Sequence, residues 1–390
     1  MNEHRLSRLF VLCSRPGQGP GEKSEALRLA ASVRDWPGAL GRADREGILP
    51  LLYWNLRDDP GAVPAGVLES LRFAFLRNLA RNTQVYRDLE LFLDRVRRAG
   101  LRAALTKGGR LALDIYPDLA LRPFWDVDFI VHPADWPAVK EILAGLGFVE
   151  AAGGTERGPS AAALDWTYSP YFRRGSLYLE FHFGPLGLHF GGDPGTDPWP
   201  ATCRLRVRGT EAMVLPAEHE LCYLAVHAQQ HSYSRLIWLA DLAEFAARPG
   251  LDWGGVVRLC QTERILGPVH HGLYLADSLW PGAVPAEALA ALRPGPFERA
   301  CLRLLWSGGA AAARYGSPAW PYYMPSLFSL WERRSPSLAA RTLKTIFFPP
   351  RTWLAASSGV PAGSPRLLGR YAERLLRPAV TAVRRLIERP

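Results

Sequence analysis

One stretch of the chain constrains its fold more than any other: residues 101–132, LRAALTKGGRLALDIYPDLALRPFWDVDFIVH. The pattern predicts a short apolar strand, a glycine turn, a short helix, a loop and a second strand that carries Asp126 and Asp128. Side chains alternate in direction along a strand, so both carboxylates project from the same face. Mg²⁺ prefers oxygen ligands and bridges readily to phosphates. The stretch therefore predicts a metal site that handles a nucleotide.

The glycine turn, Gly108-Gly109, stands where the first strand passes into the helix. Backbone N–H groups at a helix N-terminus bind phosphates, so the turn and the two aspartates predict adjacent parts of one site. Glu180 adds a third carboxylate on a later predicted strand, where it shares a face with His182. Two aspartates in a strand are also compatible with ordinary solvated residues. The glycine turn and Glu180 favour the metal site.

The chain divides by its apolar pattern. Residues 1–95 have apolar positions three and four apart, which predicts helices that lead into the first strand. Residues 96–215 carry the strands of the core and include a Gly-rich linker at 151–163. The helical period returns over 216–332, which predicts a helical C-terminal domain, and 333–390 is a basic helical tail.

The net charge of +10 belongs to the tail alone. Residues 333–390 contain twelve basic and two acidic residues, a net charge of +10. The rest of the chain contains 35 basic and 35 acidic residues and is neutral. Arg366, Arg370, Arg374 and Arg377 follow one side of a predicted helix, which suits an anionic surface such as a membrane or RNA. The alternative is a terminal helix that packs on the body with its arginines in water.

Residue usage excludes several classes of protein. The five cysteines are widely spaced and form no CxxC or Cys/His pattern, so neither a disulfide framework nor a structural zinc is expected. The first residues lack the apolar segment of a signal peptide, and no run approaches about 18 apolar residues. We therefore expect a cytoplasmic protein.

The pattern T-K-G-G-R-L-A-L, followed by L-R-P-F-W-D-V-D-F-I-V, resembles the uncharacterised bacterial nucleotidyltransferase family of the DNA polymerase beta superfamily. Glu180-Phe181-His182 is similar to the family's (D/E)-x-H strand. The resemblance covers residues 81–247. A downstream helical region also resembles the family's paired-histidine pattern, with His227, His231, Arg235, Trp238 and Asp241.

The resemblance implies an α+β fold: a polymerase-beta-like nucleotidyltransferase core, with a mixed sheet and helices, flanked by N- and C-terminal helical regions. It implies an enzyme that moves a nucleoside monophosphate from an NTP to a hydroxyl or phosphate acceptor. Two Mg²⁺ ions, or Mn²⁺ in their place, would be held by Asp126, Asp128 and Glu180. One would help to deprotonate the acceptor and the other would stabilise the triphosphate.

The resemblance also implies roles for other residues. The backbone at Gly108 and Gly109 would approach the β- and γ-phosphates, and Lys107 and Arg122 would neutralise them. His182 is expected to act as a ligand, as a hydrogen-bond partner of a carboxylate, or as a partly buried structural histidine. His227, His231 and Asp241 are expected to line the acceptor or base pocket, or else to form a structural hydrogen-bond network.

Two other classes of function stay open. The chain would be a catalytically idle nucleotide-binding or interaction module if Glu180 and the bulky Phe124-Trp125 pair spoil the metal geometry. It would be chiefly an RNA- or membrane-associated protein if the tail 333–390 carries its function. The partners expected of the enzyme are an NTP and a small-molecule, protein or RNA acceptor.

Overall fold

The computed structural model describes the ranges 3–59, 61–151, 170–183, 197–231, 233–296, 299, 348, 351–358, 360–361, 363–373 and 375–376. The chain divides into two units. The first comprises Met1–Val226 and Arg235–Gly316, and the second comprises His227–Ser234 and Ser317–Pro390.

The first unit begins with helices whose ends follow from local chemistry. The Asp35 carboxylate accepts a hydrogen bond from the Gly38 amide and starts the third helix, which Gly47 ends with a positive φ of 75°. Gly100, with φ 66°, follows the end of the fifth, long helix. The helices are α1 (Glu3–Cys13), α2 (Pro20–Ala30), α3 (Trp36–Glu46), α4 (Leu49–Leu56) and α5 (Ala65–Arg98).

Within the described residues, seven strands form one mixed sheet in the order β3-β4-β5-β2-β1-β7-β6. The β2–β5 and β1–β7 pairs are parallel, and the other pairs are antiparallel. The strands are β1 (Ala103–Thr106), β2 (Val127–Val131), β3 (Val149–Glu150), β4 (Tyr171–Arg174), β5 (Leu177–Phe183), β6 (Cys203–Val207) and β7 (Thr210–Val214). Helices α6 (Lys107–Asp114) and α7 (Trp136–Gly145) follow β1 and β2.

The two faces of the sheet differ. On one face, Val127, Phe129 and Phe181 pack with α5 residues such as Phe92 and with α7 in a single apolar core. The Phe92 ring contacts the Phe129 ring at 5.3 Å between centroids. Because side chains alternate along strands, the polar residues of the central strands all project from the opposite face. That face carries the candidate site.

Helices α8 (Ala217–Gln230), α9 (Leu236–Ala246), α10 (Trp253–Thr262), α11 (Leu266–Leu279) and α12 (Ala286–Ala291) follow the sheet. The prediction of an α+β fold with a mixed sheet and flanking helical regions is confirmed. None of the helices among the described residues is both long and apolar enough to cross a membrane. The predicted domain boundaries stay predictions.

The second unit contains α13 (Arg351–Ser358) and a helical stretch over 366–373. Leu354 and Leu367 are buried, and the Phe348 and Tyr371 rings stack at 6.2 Å between centroids. The linker 151–163 lies outside the described residues beyond its first position, as do Arg374 and Arg377 of the tail. Contact of the tail with an anionic surface therefore stays a prediction.

Candidate metal and nucleotide site

The strand-to-helix junction at Lys107 differs from the predicted turn, because the two glycines form the first turn of α6 itself. A Cβ at Gly108 would lie 2.7 Å from the Phe124 Cβ, and one at Gly109 would lie 3.1 Å from Val127 Cγ1. Glycine at position 108 therefore allows α6 to pack closely on the segment that carries the aspartates, and a Cβ at position 109 would fit only tightly. Lys107 makes the bend, with φ 49°.

Glu220 of α8 holds this junction, and the sequence patterns did not reveal it. Its fully buried carboxylate accepts hydrogen bonds from Thr106 Oγ1 at 2.8 Å, from the Lys107 amide at 2.9 Å and from Arg110 Nη1 at 3.2 Å. A carboxylate is favourable at a helix N-terminus, where backbone N–H groups point outward. Glu220 therefore occupies part of the helix terminus that the sequence assigns to phosphates. The signal that the sequence offered for this role was a glutamate among the apolar residues of a predicted helix.

The register of β2 and β5 brings the predicted carboxylates together. Asp128 pairs with Glu180 across the parallel strands, and Ile130 pairs with His182. His182 Nε2 lies 3.1 Å from Asp128 Oδ1 and 3.4 Å from Glu180 Oε2. One ligand atom from each of Asp128, Glu180 and His182 lies within 4.8 Å of the others.

Lys107 supplies the cation of this cluster. Its Nζ donates to Asp128 Oδ1 at 2.7 Å and lies 3.2 Å from His182 Nε2. The ammonium also lies 5.4 Å from the centre of the Tyr223 ring, a cation–π contact. Burial by itself lowers the pKa of Lys107, but the charges of Asp128 and Glu180 raise it well above its usual value. The side chain is therefore charged.

Asp126 lies one residue before β2, at the edge of the cluster. Its Oδ2 is 3.4 Å from the Tyr171 hydroxyl, and Tyr171 pairs with Glu180 in the sheet. Burial, and then repulsion from Asp128 and Glu180, raise the pKa of Asp126 to about 6. We call Lys107, Asp126, Asp128, Glu180 and His182 the acidic cluster.

The pKa values of Glu180 and His182 each result from opposing effects of burial and neighbouring charges. Burial favours the neutral form of Glu180, but His182 and Lys107 outweigh it and lower the pKa of that carboxyl. For His182, burial and Lys107 lower the pKa, whereas Glu180 and Asp128 raise it, and the net direction is upward. The acidic cluster thus combines three carboxylates with the Lys107 ammonium and the His182 imidazole.

A family model described as "Uncharacterised nucleotidyltransferase" matches residues 32–281, more than half of the 390-residue chain. The chain belongs to this nucleotidyltransferase family. The family suspected from the sequence is therefore confirmed. A search of curated proteins found no match.

In this member of the family, the acidic cluster fits a divalent cation by the chemistry of its donors. Carboxylate oxygens and an imidazole nitrogen are established ligands of such ions, and three ligand atoms within 4.8 Å match the span around one ion. The set that the structure brings together is Asp128, Glu180 and His182. Asp126 lies beside this set, so its place as the third carboxylate ligand stays a prediction.

Arg122 and Asp241, assigned by the resemblance to phosphate and to a pocket, bind each other. Arg122 Nε and Nη2 donate to the Asp241 carboxylate at 2.8 Å and 2.7 Å, and the Tyr116 hydroxyl donates to it at 2.8 Å. Asn82 of α5 donates to the Arg122 carbonyl at 3.1 Å. We call Tyr116, Arg122 and Asp241 the arginine clamp. It fastens the loop before β2 to α9, and a role in phosphate binding stays a prediction.

The loop that leads to Asp126 is also held from α5. Arg81 donates from Nη1 to the Phe124 carbonyl and from Nη2 to the Trp125 carbonyl, the latter at 2.7 Å. Its guanidinium lies 5.4 Å from the centre of the Trp125 ring, and that indole is 69% exposed. The bulky pair before Asp126 therefore points one ring, Phe124, into the core and leaves the other at the surface.

His227 and His231 belong to the second unit. Their rings lie 4.5 Å apart between centroids, as the spacing of four residues predicts, with His227 in α8 and His231 just beyond its end. The His231 amide donates to the His227 carbonyl at 3.2 Å. Their place in an acceptor or base pocket stays a prediction.

Proposed function

We propose that this family member transfers a nucleoside monophosphate from an NTP to a hydroxyl or phosphate acceptor and that it requires a divalent cation, Mg²⁺ or Mn²⁺. The observation that carries the proposal is the register of β2 and β5, which sets Asp128 beside Glu180 and His182 on the polar face of the sheet. Family membership supplies the class of reaction.

Asp128, Glu180 and His182 would hold the cation, with Asp126 as the third carboxylate. When bound, such an ion neutralises phosphate charge and stabilises the pyrophosphate that leaves. The backbone of the site is fixed from several directions: Glu220 holds the Lys107 amide, and the arginine clamp and Arg81 hold the loop before Asp126. Such a pre-arranged site loses little entropy when substrate binds.

The two reactants and this chain account for every bond and proton in the transfer. A bond forms between the acceptor oxygen and the α-phosphorus, and the bond from the α-phosphorus to the bridging oxygen breaks. Pyrophosphate leaves with that electron pair. For a hydroxyl acceptor, the proton passes to the Asp126 carboxylate, which lies at the edge of the acidic cluster.

The test is transfer from α-labelled NTP in the presence of Mg²⁺, with candidate small-molecule, protein and RNA acceptors. Asp128→Asn preserves side-chain shape but removes charge from the centre of the acidic cluster. We expect it to lower the transfer rate by about a thousandfold or more, since it removes a ligand and its charge together. Release of labelled pyrophosphate from γ-labelled NTP gives an independent measure of the same step.

Asp58→Asn is the matched control, because Asp58 is exposed and its ion pairs, with Lys23 at 3.8 Å and with Arg57 at 3.6 Å, are long. Its transfer rate should equal that of the unmodified protein. Transfer that persists undiminished in Asp128→Asn would show that the reaction occurs elsewhere. NTP binding without Mg²⁺ dependence and without transfer to any acceptor would instead favour the catalytically idle module.

A further inference from the structure

We infer that Lys107 is an internal cation that competes with the divalent ion for the acidic cluster, and that binding of the ion displaces its ammonium from Asp128. The inference rests on the proposed metal-dependent function. It assigns to Lys107 a role before substrate binds, in addition to phosphate neutralisation.

The geometry that supports this is the sharing of ligand atoms. The Lys107 ammonium lies 2.7 Å from Asp128 Oδ1 and 3.2 Å from His182 Nε2. These residues are two of the three that could hold an ion. An ion held by the same two residues would lie in immediate proximity to the ammonium. Like charges so close in a buried site repel strongly, so the site cannot bind the ammonium and the divalent ion tightly at the same time.

The position of Lys107 follows from the backbone around it. Its φ of 49° is unusual for a residue with a Cβ, and Glu220 fixes this conformation by accepting from the Lys107 amide at 2.9 Å. The side chain is 9% exposed and extends along the polar face of the sheet to Asp128. The clamped backbone therefore directs the ammonium into the cluster before any ligand arrives.

Charge explains why an internal cation is needed. Asp126, Asp128 and Glu180 lie close enough to raise or lower one another's proton affinity, and concentrated negative charge is costly in a buried site. Lys107 offsets part of this charge in the free protein. A lysine stem is flexible, so the ammonium can move without a change in the backbone. Once displaced, it remains close enough to meet the anionic oxygens of a triphosphate.

The experiment measures Mn²⁺ affinity without nucleotide, by titration calorimetry or from the signal of free Mn²⁺ in electron paramagnetic resonance. Lys107→Met keeps the length of the side chain and removes its charge. We expect it to bind Mn²⁺ about tenfold more tightly than the unmodified protein, because the competing cation is gone. Lys107→Arg keeps the charge and should not gain affinity.

A second ligand, inorganic tripolyphosphate with Mn²⁺, separates the two roles of Lys107. For Lys107→Met, affinity for tripolyphosphate should fall about tenfold while affinity for Mn²⁺ alone rises, since the displaced ammonium no longer meets the phosphates. Lys140→Met, which removes an exposed lysine of α7, controls for the change in net charge and should alter neither affinity.

The outcomes are distinct. Tighter Mn²⁺ binding by Lys107→Met supports the inference. Equal or weaker binding by Lys107→Met, with clear binding by the unmodified protein, overturns it and leaves the proposed function in place. Failure of both proteins to bind Mn²⁺ without nucleotide overturns the inference, whereas transfer from labelled NTP tests the proposed function separately. Thermal unfolding with and without Mn²⁺ shows that Lys107→Met is folded, and its stabilisation by Mn²⁺ should exceed that of the unmodified protein.

Discussion

The acidic cluster and the arginine clamp are both buried groups of charged side chains, but they differ in charge balance. In the arginine clamp, one guanidinium meets one carboxylate through two donors, and the Tyr116 hydroxyl completes the set. In the acidic cluster, three carboxylates face a single lysine and one histidine. A buried ion pair of equal and opposite charges needs no further ligand. A buried cluster with more carboxylates than cations favours the binding of a cation.

The sequence pattern assigned functional roles to both regions. The structure suggests a division: the arginine clamp holds the loop before β2 in place, and the acidic cluster presents the ligand atoms. Asp241→Asn and Asp128→Asn test that division directly. Glu46→Gln and Gly108→Ala test the effects of burial and close packing elsewhere in the fold, and the expected change in the free energy of unfolding falls from Asp241→Asn to Asp128→Asn.

Asp241→Asn breaks the arginine clamp and leaves Arg122 buried without a charged partner. We expect the free energy of unfolding, measured in urea, to fall by about 3–5 kcal/mol. Adding Arg122→Met should restore part of this loss, since no unpaired charge then remains. Asp58→Asn, at an exposed pair, should change it by less than about 1 kcal/mol. A small effect of Asp241→Asn would mean that the clamp is not structural.

Glu46 tests burial of a carboxylate that lacks a close cation. Its Oε2 accepts from the Leu236 amide at 2.8 Å, Oε1 has no hydrogen-bond partner among the described residues, and burial raises its pKa to about 7 from an ordinary 4.5. A raised native pKa stabilises the fold below pH 4.5, and this contribution is lost as pH rises through about 7.

Glu46→Gln keeps the carbonyl that accepts from Leu236 and cannot ionise. Its stability relative to the unmodified protein should therefore rise by about 3 kcal/mol between pH 4.5 and pH 7.5. Urea unfolding at several pH values measures the difference. A constant difference across that range would mean that Glu46 ionises in the folded protein as it does in the unfolded chain.

Gly108→Ala separates packing from phosphate binding at the start of α6. The added Cβ would meet the Phe124 Cβ at 2.7 Å, so α6 must shift, at a cost of about 1–3 kcal/mol in the free energy of unfolding. Gly145→Ala, at the end of α7 with no atom within 4 Å of the added Cβ, is the control and should be neutral or slightly stabilising. Equal stability of the two variants would show that Gly108 is not required for packing.

Asp128→Asn should have the smallest effect on stability, although it is expected to lower the transfer rate by about a thousandfold or more. It removes the ion pair with Lys107, but it also relieves repulsion from Asp126. Because these changes oppose each other, we expect the free energy of unfolding to change by less than about 1 kcal/mol. A loss as large as that of Asp241→Asn would make the acidic cluster a structural element like the clamp.

Much of the fold could be predicted from local pattern. Alternation along β2 and β5 predicted the faces of Asp128 and Glu180, and the spacing of apolar residues predicted the helices that lead into the first strand. The resemblance in sequence identified the family that the family model confirms. These features depend on residues close together in the chain, where the period of the backbone decides which side chains share a face.

The partners of each charged group could not be predicted in the same way. Nothing local to Arg122 indicates that Asp241, 119 residues later, neutralises it. Nothing local to Gly108 indicates that Phe124 leaves no room for a Cβ. Glu220 was missed for the same reason, since its role depends on the approach of α8 to the end of β1.

The amino-acid order thus suffices for the carboxylates, their strands and the class of protein. Which carboxylates carry surplus charge and which are neutralised depends on the packing of α8 and α9 on the sheet. Electrostatic energy depends on distance and burial, and both quantities arise from contacts between segments that are far apart in the sequence. Lys107 shows this most clearly: its charge is a property of the residue, but its position beside Asp128 is a property of the fold.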